Sequence, residues 1–167
     1  MKRGILTDIK SYIPSSYEDF RGDLYTTWKQ DEFKSAFNID LEFVHDKTSI
    51  SKYNVLRGIH GDNKSWKYMA CVHGEIYYVV VDCRKDSPTY MQWDWEILSS
   101  KNKKMLLIPP NFGSSFYVLS EIAVVNYKWA YPGKYPDVDD QFTIQWNDPK
   151  INIHWPTNNP ILSERDA

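Results

Sequence analysis

The sequence predicts an all-β protein with few helices, arranged as a β sandwich or jelly roll. Its apolar runs are short, turn-forming residues interrupt them, and only one segment has a helical pattern. This spacing is typical of a chain with many strands. Such sheets bury one face of each strand and can leave an open barrel mouth where a small ligand binds.

One helix and five strands are predicted along the chain. Residues 30–37 predict the one helix, because Phe33 and Phe37 are one helical turn apart. A strand is predicted from Val55 to His60, where apolar and β-branched residues predominate. Further strands are predicted at residues 74–83, 104–110, 122–128 and 142–146. Two consecutive prolines end the strand at 104–110, since proline cannot donate to a strand ladder.

One domain, residues 1–167, accounts for the whole chain and is large enough to bury a substantial core without disulfides or metals. The 20 basic and 22 acidic residues give a formal charge of -2, and the basic residues are scattered. A nucleic-acid-binding surface is therefore not expected. Aromatic residues make up 16% of the chain, which favours a cleft lined by rings in addition to ordinary core packing.

Cysteine usage and the amino terminus favour the cytoplasm. Cys71 and Cys83 are the only cysteines, and their spacing is neither CxxC nor typical of a zinc site, so we expect buried thiols. Residues 1–8 become acidic before a long apolar stretch develops, and no segment is long enough to span a bilayer. We therefore expect no signal peptide, no membrane association and a reducing compartment.

Arg57 and His60 are the strongest functional signal among individual residues. An arginine can bind a phosphate through two parallel hydrogen bonds, and a histidine can transfer protons near neutral pH. The pair lies on one short extended segment, so it suits a phosphorylated substrate that undergoes proton transfer. The alternative is a solvated strand edge, which is the commoner role of such residues taken alone.

A series of short blocks spans nearly the whole chain. They are FRG at 20–22, LRGIH at 56–60, Lys67, GE at 74–75, VDCR at 81–84, SPTY at 87–90, IPPNF at 108–112, VLSE at 118–121, YK at 127–128, WNDP at 146–149, WP at 155–156 and LSERD at 162–166. In this order they resemble the dTDP-4-dehydrorhamnose 3,5-epimerase family. Many blocks in one order are far more specific than any single motif.

The resemblance implies a cupin-type jelly roll that forms a homodimer and epimerises a nucleotide-linked 4-keto sugar without a metal or redox cofactor. In this chemistry a proton leaves a carbon beside the ketone, an enolate forms, and a proton returns to the other face. His60 matches the family's base, and Asp166 matches the carboxylate that fixes its tautomer. Tyr127 matches the acid opposite His60, and Lys67 matches the cation that stabilises charge on the C4 oxygen.

The nucleotide end is less completely matched. Arg57 and Arg21 correspond to arginines that hold the diphosphate, with Arg21 reaching the site of the neighbouring subunit. Tyr131 and Tyr135 fall where the family has an adjacent pair of tyrosines near the substrate, but residues 132–134 separate them. The sequence does not decide which tyrosine contacts the substrate.

Several positions depart from the family pattern. His45 and Lys47 stand where the family tends to have glutamine and asparagine, and Ser114 replaces a histidine. Gly61 and Asp62 replace an aromatic residue and a glutamine, which would open room beside the base and add a negative charge near the cleft. These departures predict altered substrate specificity on preserved chemistry.

Two substrates remain open. The variant at residues 61–62 is similar to relatives that act on GDP-linked 4-keto-heptoses used for bacterial capsules. The competing substrate is dTDP-4-keto-6-deoxyglucose, the family's commonest assignment. The expected setting is the biosynthesis of bacterial surface polysaccharide, either capsule or O-antigen. The sequence leaves open whether C3 alone or both C3 and C5 are inverted.

Functions of other classes also remain open. The chain could be a non-catalytic carbohydrate-binding jelly roll, in which His60 and Tyr127 only form hydrogen bonds. It could also be a sugar-nucleotide 3,4-ketoisomerase on the same scaffold. Metal-dependent chemistry is not expected, because the four histidines are far apart and form no His-x-His pair of the kind that binds iron, manganese or zinc in many jelly rolls.

Overall fold

A computed structural model describes all 167 residues of the chain as a sandwich of two five-stranded antiparallel sheets with a separate two-stranded hairpin. The strands are, in chain order, β1 (Lys10–Tyr12), β2 (Ser16–Asp19), β3 (Gly22–Tyr25), β4 (His45–Lys52), β5 (Leu56–Gly61), β6 (Trp66–His73), β7 (Glu75–Asp82), β8 (Trp93–Ser99), β9 (Met105–Ile108), β10 (Phe112–Val118), β11 (Ile122–Ala130) and β12 (Phe142–Thr143). The helices are α1 (Gln30–Phe37) and a short 3-10 turn (Val138–Asp140).

The two sheets have interleaved strand orders. The first sheet runs β1-β9-β6-β11-β4, and the second runs β12-β5-β10-β7-β8. Strands β2 and β3 form the separate hairpin. Because every neighbouring pair in these sheets except β7 and β8 is non-consecutive in the chain, residues from widely separated blocks come to lie side by side between the sheets.

Apolar residues cover both faces of each sheet. The space between the sheets holds the largest core cluster, which includes Ile76, Val80 and Val125. Helix α1 packs its two phenylalanines on the outer face of the first sheet. The carboxyl-terminal segment packs on the outer face of the second sheet. Burial on both faces explains why β7 reads as a continuous apolar run instead of an alternating one.

The structure confirms most of the predicted elements. The helix has the predicted bounds, and β9 ends at the residue before the two prolines. The prediction at 142–146 was too long, because β12 pairs with β5 through only two residues before the chain leaves the sheet. Both cysteines are free; Cys71 is buried as predicted, whereas Cys83 is only half-buried. No helix has the length and apolar character needed to cross a membrane.

Candidate active site

A cavity of about 340 Å³ lies between the two sheets. Its walls carry lysine, arginine, histidine, tyrosine and serine side chains beside apolar ones. The lining residues that carry chemistry are Lys47, Arg57, His60, Lys67, Tyr78, Ser114, Tyr127, Trp129, Tyr135, Asp137, Ser163, Arg165 and Asp166. Polar groups that converge on a concave site between core sheets are typical of a small-molecule site.

Strand alternation decides which side chains of the first sheet reach this cavity. Lys67 and Met69 share the inner face of β6, and Tyr127 and Trp129 share the inner face of β11. Lys47 reaches the cavity from β4, where it is paired with Tyr127. A lysine pair and a tyrosine therefore stand side by side on one wall.

The second sheet places Arg57 and His60 on the opposite wall by means of a β-bulge. Two residues that are three apart on a regular strand point to opposite faces. Here, however, Ser114 pairs with His60 while Phe116 pairs with Arg57, so β5 contains one residue more than β10 over this stretch. Gly58 is the position that permits this, since it has φ +110° and a Cβ there would lie 2.6 Å from the Ser114 carbonyl oxygen.

His60 forms a dyad with Asp166. The His60 Nε2 lies 2.6 Å from Asp166 Oδ1. Burial raises the pKa of the Asp166 carboxyl, but the hydrogen bond and charge of His60, together with bonds from Ser163 and the Gly58 amide, outweigh burial, so the pKa lies below its ordinary value. Because the carboxylate is ionised, Nε2 carries the proton and Nδ1 has the free lone pair of a base.

The carboxyl-terminal segment is docked against β5, which holds Asp166 in place. Ile161 forms a parallel bridge with Val55, and its carbonyl oxygen accepts the Leu56 amide at 3.0 Å. The Ser163 hydroxyl donates to Asp166 Oδ2 at 2.9 Å. The Asp166 side chain is consequently buried although it stands one residue from the chain end.

Lys67 is a buried cation beside the dyad. Only 5% of its surface is exposed, and its ammonium group donates to the His60 carbonyl oxygen at 3.3 Å. The ammonium also lies 4.7 Å from the centre of the Trp129 ring. Burial lowers the pKa of Lys67 to about 8, although the charge of Asp62 opposes the change. Near pH 7 the group is therefore a charged donor with little solvent around it.

Three further cations line the cavity. Arg57 donates from Nε to the Ser51 hydroxyl at 2.9 Å, which fixes the side chain while its terminal nitrogens remain available. The Lys47 ammonium donates to the Tyr135 hydroxyl and lies 4.1 Å from the centre of that ring. Arg165 donates to Thr143 Oγ1 at 3.0 Å. Such a group of cations suits an anionic ligand such as a diphosphate.

Comparison with known proteins agrees with this geometry. A sequence model of the dTDP-4-dehydrorhamnose 3,5-epimerase family matches residues 4–167. The chain belongs to this family. The epimerase of Salmonella typhimurium is 39% identical over 166 residues, which are 97% of this chain and 89% of that protein.

Solved structures of other members superpose closely on this epimerase. The dTDP-6-deoxy-D-glucose-3,5-epimerase of Legionella pneumophila, in complex with dTDP-4-keto-L-rhamnose, has a TM-score of 0.89 at 35% identity, covering 96% of this chain and 86% of its own. The Bacillus anthracis enzyme, with TDP and PPi bound, has a TM-score of 0.88 at 34% identity, covering 96% and 91%. The cupin-type jelly roll expected from the resemblance is thereby confirmed.

Of the predicted site residues, the structure brings eight together in the epimerase cavity. These are His60, Tyr127, Lys67, Asp166, Arg57, Lys47, Ser114 and Tyr135. Between the two candidate tyrosines, Tyr135 lines the cavity and Tyr131 does not. The rings of Tyr131 and His45 pack against Tyr135, and the Tyr131 hydroxyl lies 3.3 Å from His45 Nδ1.

Arg21 and Asp62 lie outside the cavity of this chain. Arg21 is exposed at the tip of the β2–β3 hairpin, where it pairs with Asp19. Asp62 is buried, and its Oδ1 accepts the Ser65 amide at 2.7 Å to close a turn. Its charge acts on Lys67, so the negative charge expected near the cleft is present, although the carboxylate itself does not line the cavity.

The expected extra room at Gly61 is filled. A Cβ at this position would lie 2.4 Å from both the Phe142 ring and the Phe112 carbonyl oxygen. The absence of a side chain at Gly61 therefore allows β12 to approach and pair with β5 at this residue. The interpretation that Gly61 enlarges the substrate site is wrong, and with it the structural reason for favouring a longer sugar is lost.

Sequence reasoning missed several lining residues. Trp129 could have been found, because it lies two residues after Tyr127 and so shares its strand face. Ser163 and Arg165 lie on the turn that precedes Asp166, and no periodic pattern indicates where such side chains point. Tyr78 reads as an ordinary core residue in an apolar run. No group of three His, Cys, Asp or Glu side chains is arranged to hold a metal ion.

Proposed function

We propose that this epimerase inverts C3, or C3 and C5, of a nucleotide-linked 4-keto-6-deoxy sugar. The observation that carries the proposal is that His60 and Tyr127 line one cavity from opposite sheets, with the Lys67 ammonium beside them. The ligands of the Legionella and Bacillus enzymes favour a dTDP-linked hexose as the substrate. We further propose that the product supplies bacterial surface polysaccharide, capsule or O-antigen.

The first step is proton abstraction by His60. The Nδ1 lone pair takes the proton from C3, the C–H bonding electrons form the C3–C4 double bond, and the carbonyl electrons move to the C4 oxygen. The resulting enolate oxygen lies against the Lys67 ammonium. The attraction between the two charges is stronger in this buried site than it would be in water. Asp166 stabilises the imidazolium that forms.

The second step is proton delivery by Tyr127 from the opposite wall. The enolate carbon takes the phenol proton on the face opposite to that from which the first proton left, which inverts the carbon. Solvent exchange then returns a proton to the Tyr127 oxygen and removes one from His60. The same two groups can serve C5, which also flanks the C4 carbonyl. During both steps Arg57 and Lys47 bind the diphosphate.

Deuterium incorporation from solvent tests this function. In deuterated water we expect label at C3, and at C5 if both carbons are inverted, of dTDP-4-keto-6-deoxyglucose, observed by nuclear magnetic resonance. A GDP-linked 4-keto-heptose is run in parallel to decide between the two nucleotide sugars. Binding without any label would identify a carbohydrate-binding protein, and a product with its carbonyl at C3 would identify a ketoisomerase.

Tyr127→Phe separates the two steps of the same assay. Phenylalanine fills the same space but has no proton to donate, so we expect the variant to retain part of the exchange at C3 while net inversion falls by about 10²-fold or more. Tyr68→Phe is the matched control, because that phenol lies under α1 and outside the cavity. Full inversion by Tyr127→Phe would remove the assignment of Tyr127 as the acid.

We also propose a homodimer in which the hairpin tip of one subunit completes the site of the other. Three apolar side chains of the β2–β3 hairpin are largely exposed, with Tyr17 at 76%, Phe20 at 98% and Leu24 at 73%. An exposed apolar group of this kind is typical of an interaction surface. Arg21 is a cation next to Phe20, and it lies outside the cavity of its own chain.

A complementation experiment tests the role of Arg21 across the dimer. Arg21→Ala should lower kcat/KM by about tenfold or more through loss of a charged hydrogen bond to the diphosphate. In an equal mixture of Arg21→Ala and inactive His60→Ala subunits, about half of the dimers should contain one subunit of each kind. Each mixed dimer has one site with both residues intact, so about a quarter of all sites should regain wild-type activity. Activity that stays at the average of the two variants would show that Arg21 does not act across the dimer.

A further inference from the structure

Tyr78 lines the active-site cavity from the centre of β7, and only 1% of its surface is exposed. It pairs across the sheet with Phe116 of β10. Ser114, two residues earlier on β10, pairs with His60 of β5. Because alternate residues of a strand share a face, Tyr78, Ser114 and His60 border the same wall of the cavity.

The Tyr78 hydroxyl forms no hydrogen bond of normal geometry within the protein, although the Ser114 hydroxyl lies close enough to act on it. A buried hydroxyl without a partner costs free energy, and phenylalanine would fill the same space without that cost. The buried Tyr68 hydroxyl, by contrast, has a partner in Met105 Sδ at 3.0 Å. An unpaired phenol bordering an active-site cavity indicates a ligand that completes its hydrogen bonding.

The phenol is a neutral donor in the working range of the enzyme. Burial raises the pKa of Tyr78 far above its ordinary value, the neighbouring Ser114 hydroxyl lowers it in part, and Tyr127 raises it further. The group therefore keeps its proton while the acid and base exchange theirs. A donor that stays protonated suits recognition of a substrate oxygen.

We infer that the Tyr78 phenol donates a hydrogen bond to the C2 hydroxyl group of the sugar and thereby selects substrates that carry this group. The inference rests on the function proposed above. With the C4 oxygen at Lys67, C3 and C5 are the reacting carbons, so C2 carries the ring hydroxyl that keeps its configuration throughout. A phenol fixed in a central strand is suited to a group that does not move during inversion. The adjacent Ser114 hydroxyl can accept from or donate to the same oxygen.

The test compares dTDP-4-keto-6-deoxyglucose with its 2-deoxy analogue, each with wild-type protein and Tyr78→Phe. We expect wild-type kcat/KM to be about tenfold lower for the analogue, and Tyr78→Phe to lower kcat/KM about tenfold for the parent sugar only. The thermal midpoint of unfolding of Tyr78→Phe should equal or exceed that of the wild type, since an unpaired hydroxyl is removed. Tyr68→Phe should leave both kcat/KM values unchanged.

Three outcomes would overturn the inference. They are a wild-type enzyme that does not distinguish the two sugars, a Tyr78→Phe variant that loses activity equally on both, and one that loses none. The wild-type comparison holds even if the variant does not fold. Absence of deuterium label from either sugar with wild-type protein would instead remove the proposed function itself, so the two failures are distinguishable.

Discussion

Replacing His60 with alanine should abolish deuterium incorporation at both C3 and C5. The His60 imidazole borders the cavity with its Nε2 bound to Asp166 at 2.6 Å, and we propose Nδ1 as the nitrogen that takes the substrate proton. A positioned general base contributes about 10²–10⁴-fold to a rate, and alanine leaves no substitute at this position. We therefore expect turnover to fall by at least this factor, so that no label above background is seen in the solvent-exchange assay.

His73→Ala is the matched control for this variant. His73 lies at the exposed end of β6, outside the cavity, so its loss should leave exchange unchanged. In His60→Ala the Asp166 carboxylate keeps its bonds from Ser163 and the Gly58 amide, and the fold should persist with a modest loss of stability. Exchange at the wild-type rate in a folded His60→Ala protein would refute the base assignment.

Lys67→Met should stabilise the protein and inactivate it. The Lys67 side chain is 5% exposed, and burial lowers its pKa to about 8. Between pH 8 and the ordinary lysine value the unfolded chain holds more protons at this position than the folded one, so stability rises with pH over that range. The cost of the buried ammonium is fully present below about pH 8, and it is on the order of 1–3 kcal/mol.

Methionine has a similar length and removes this cost, so the free energy of unfolding at pH 7 should increase by about 1–3 kcal/mol, measured by urea denaturation. The enolate loses its cation at the same time, and kcat should fall by about 10²–10³-fold. Lys52→Met, at an exposed position of β4, should change neither quantity. A variant that is destabilised and still active would contradict both parts.

The pKa of Lys67 also predicts how kcat/KM changes at alkaline pH. The ammonium of Lys67 loses its proton as the pH rises through about 8, so kcat/KM of the wild-type enzyme should decrease above this value. The decrease should be absent from the residual activity of Lys67→Met. If kcat/KM of Lys67→Met still decreases at alkaline pH, the decrease comes from the titration of another group.

The fold class, the family and a set of candidate catalytic residues could be predicted from the sequence because each depends on local patterns. Short apolar runs separated by turns predict strands, and the order of the motif blocks identifies the family together with His60, Lys67, Tyr127 and Asp166. The spacing of Phe33 and Phe37 likewise predicts helix α1 with its observed bounds. None of these inferences requires knowledge of which strands are neighbours.

The meaning of Gly61 could not be predicted in this way. The sequence has glycine where the family has an aromatic residue, which suggests open space beside His60. In the structure, the Phe142 ring of β12 occupies that space. Asp62 similarly reads as a charge near the cleft, although its carboxylate closes a turn and acts on Lys67. The surroundings of Gly61 come from segments that are distant in the chain, and local patterns carry no information about them. The direction of the Asp62 side chain depends on the backbone of the turn that follows it, which the residue types do not specify.

The strands, the family and the candidates for the acid, the base and the cation follow from the sequence alone. The packing of strands within the second sheet turns Arg57 and His60 toward the same cavity, because an extra residue at the Gly58 bulge reverses the alternation of a regular strand. It also places Tyr78 at the border of the site with an unpaired hydroxyl. Side-chain direction and hydrogen-bond partnership are set by the packing of sheets from distant segments, and a linear pattern does not contain them.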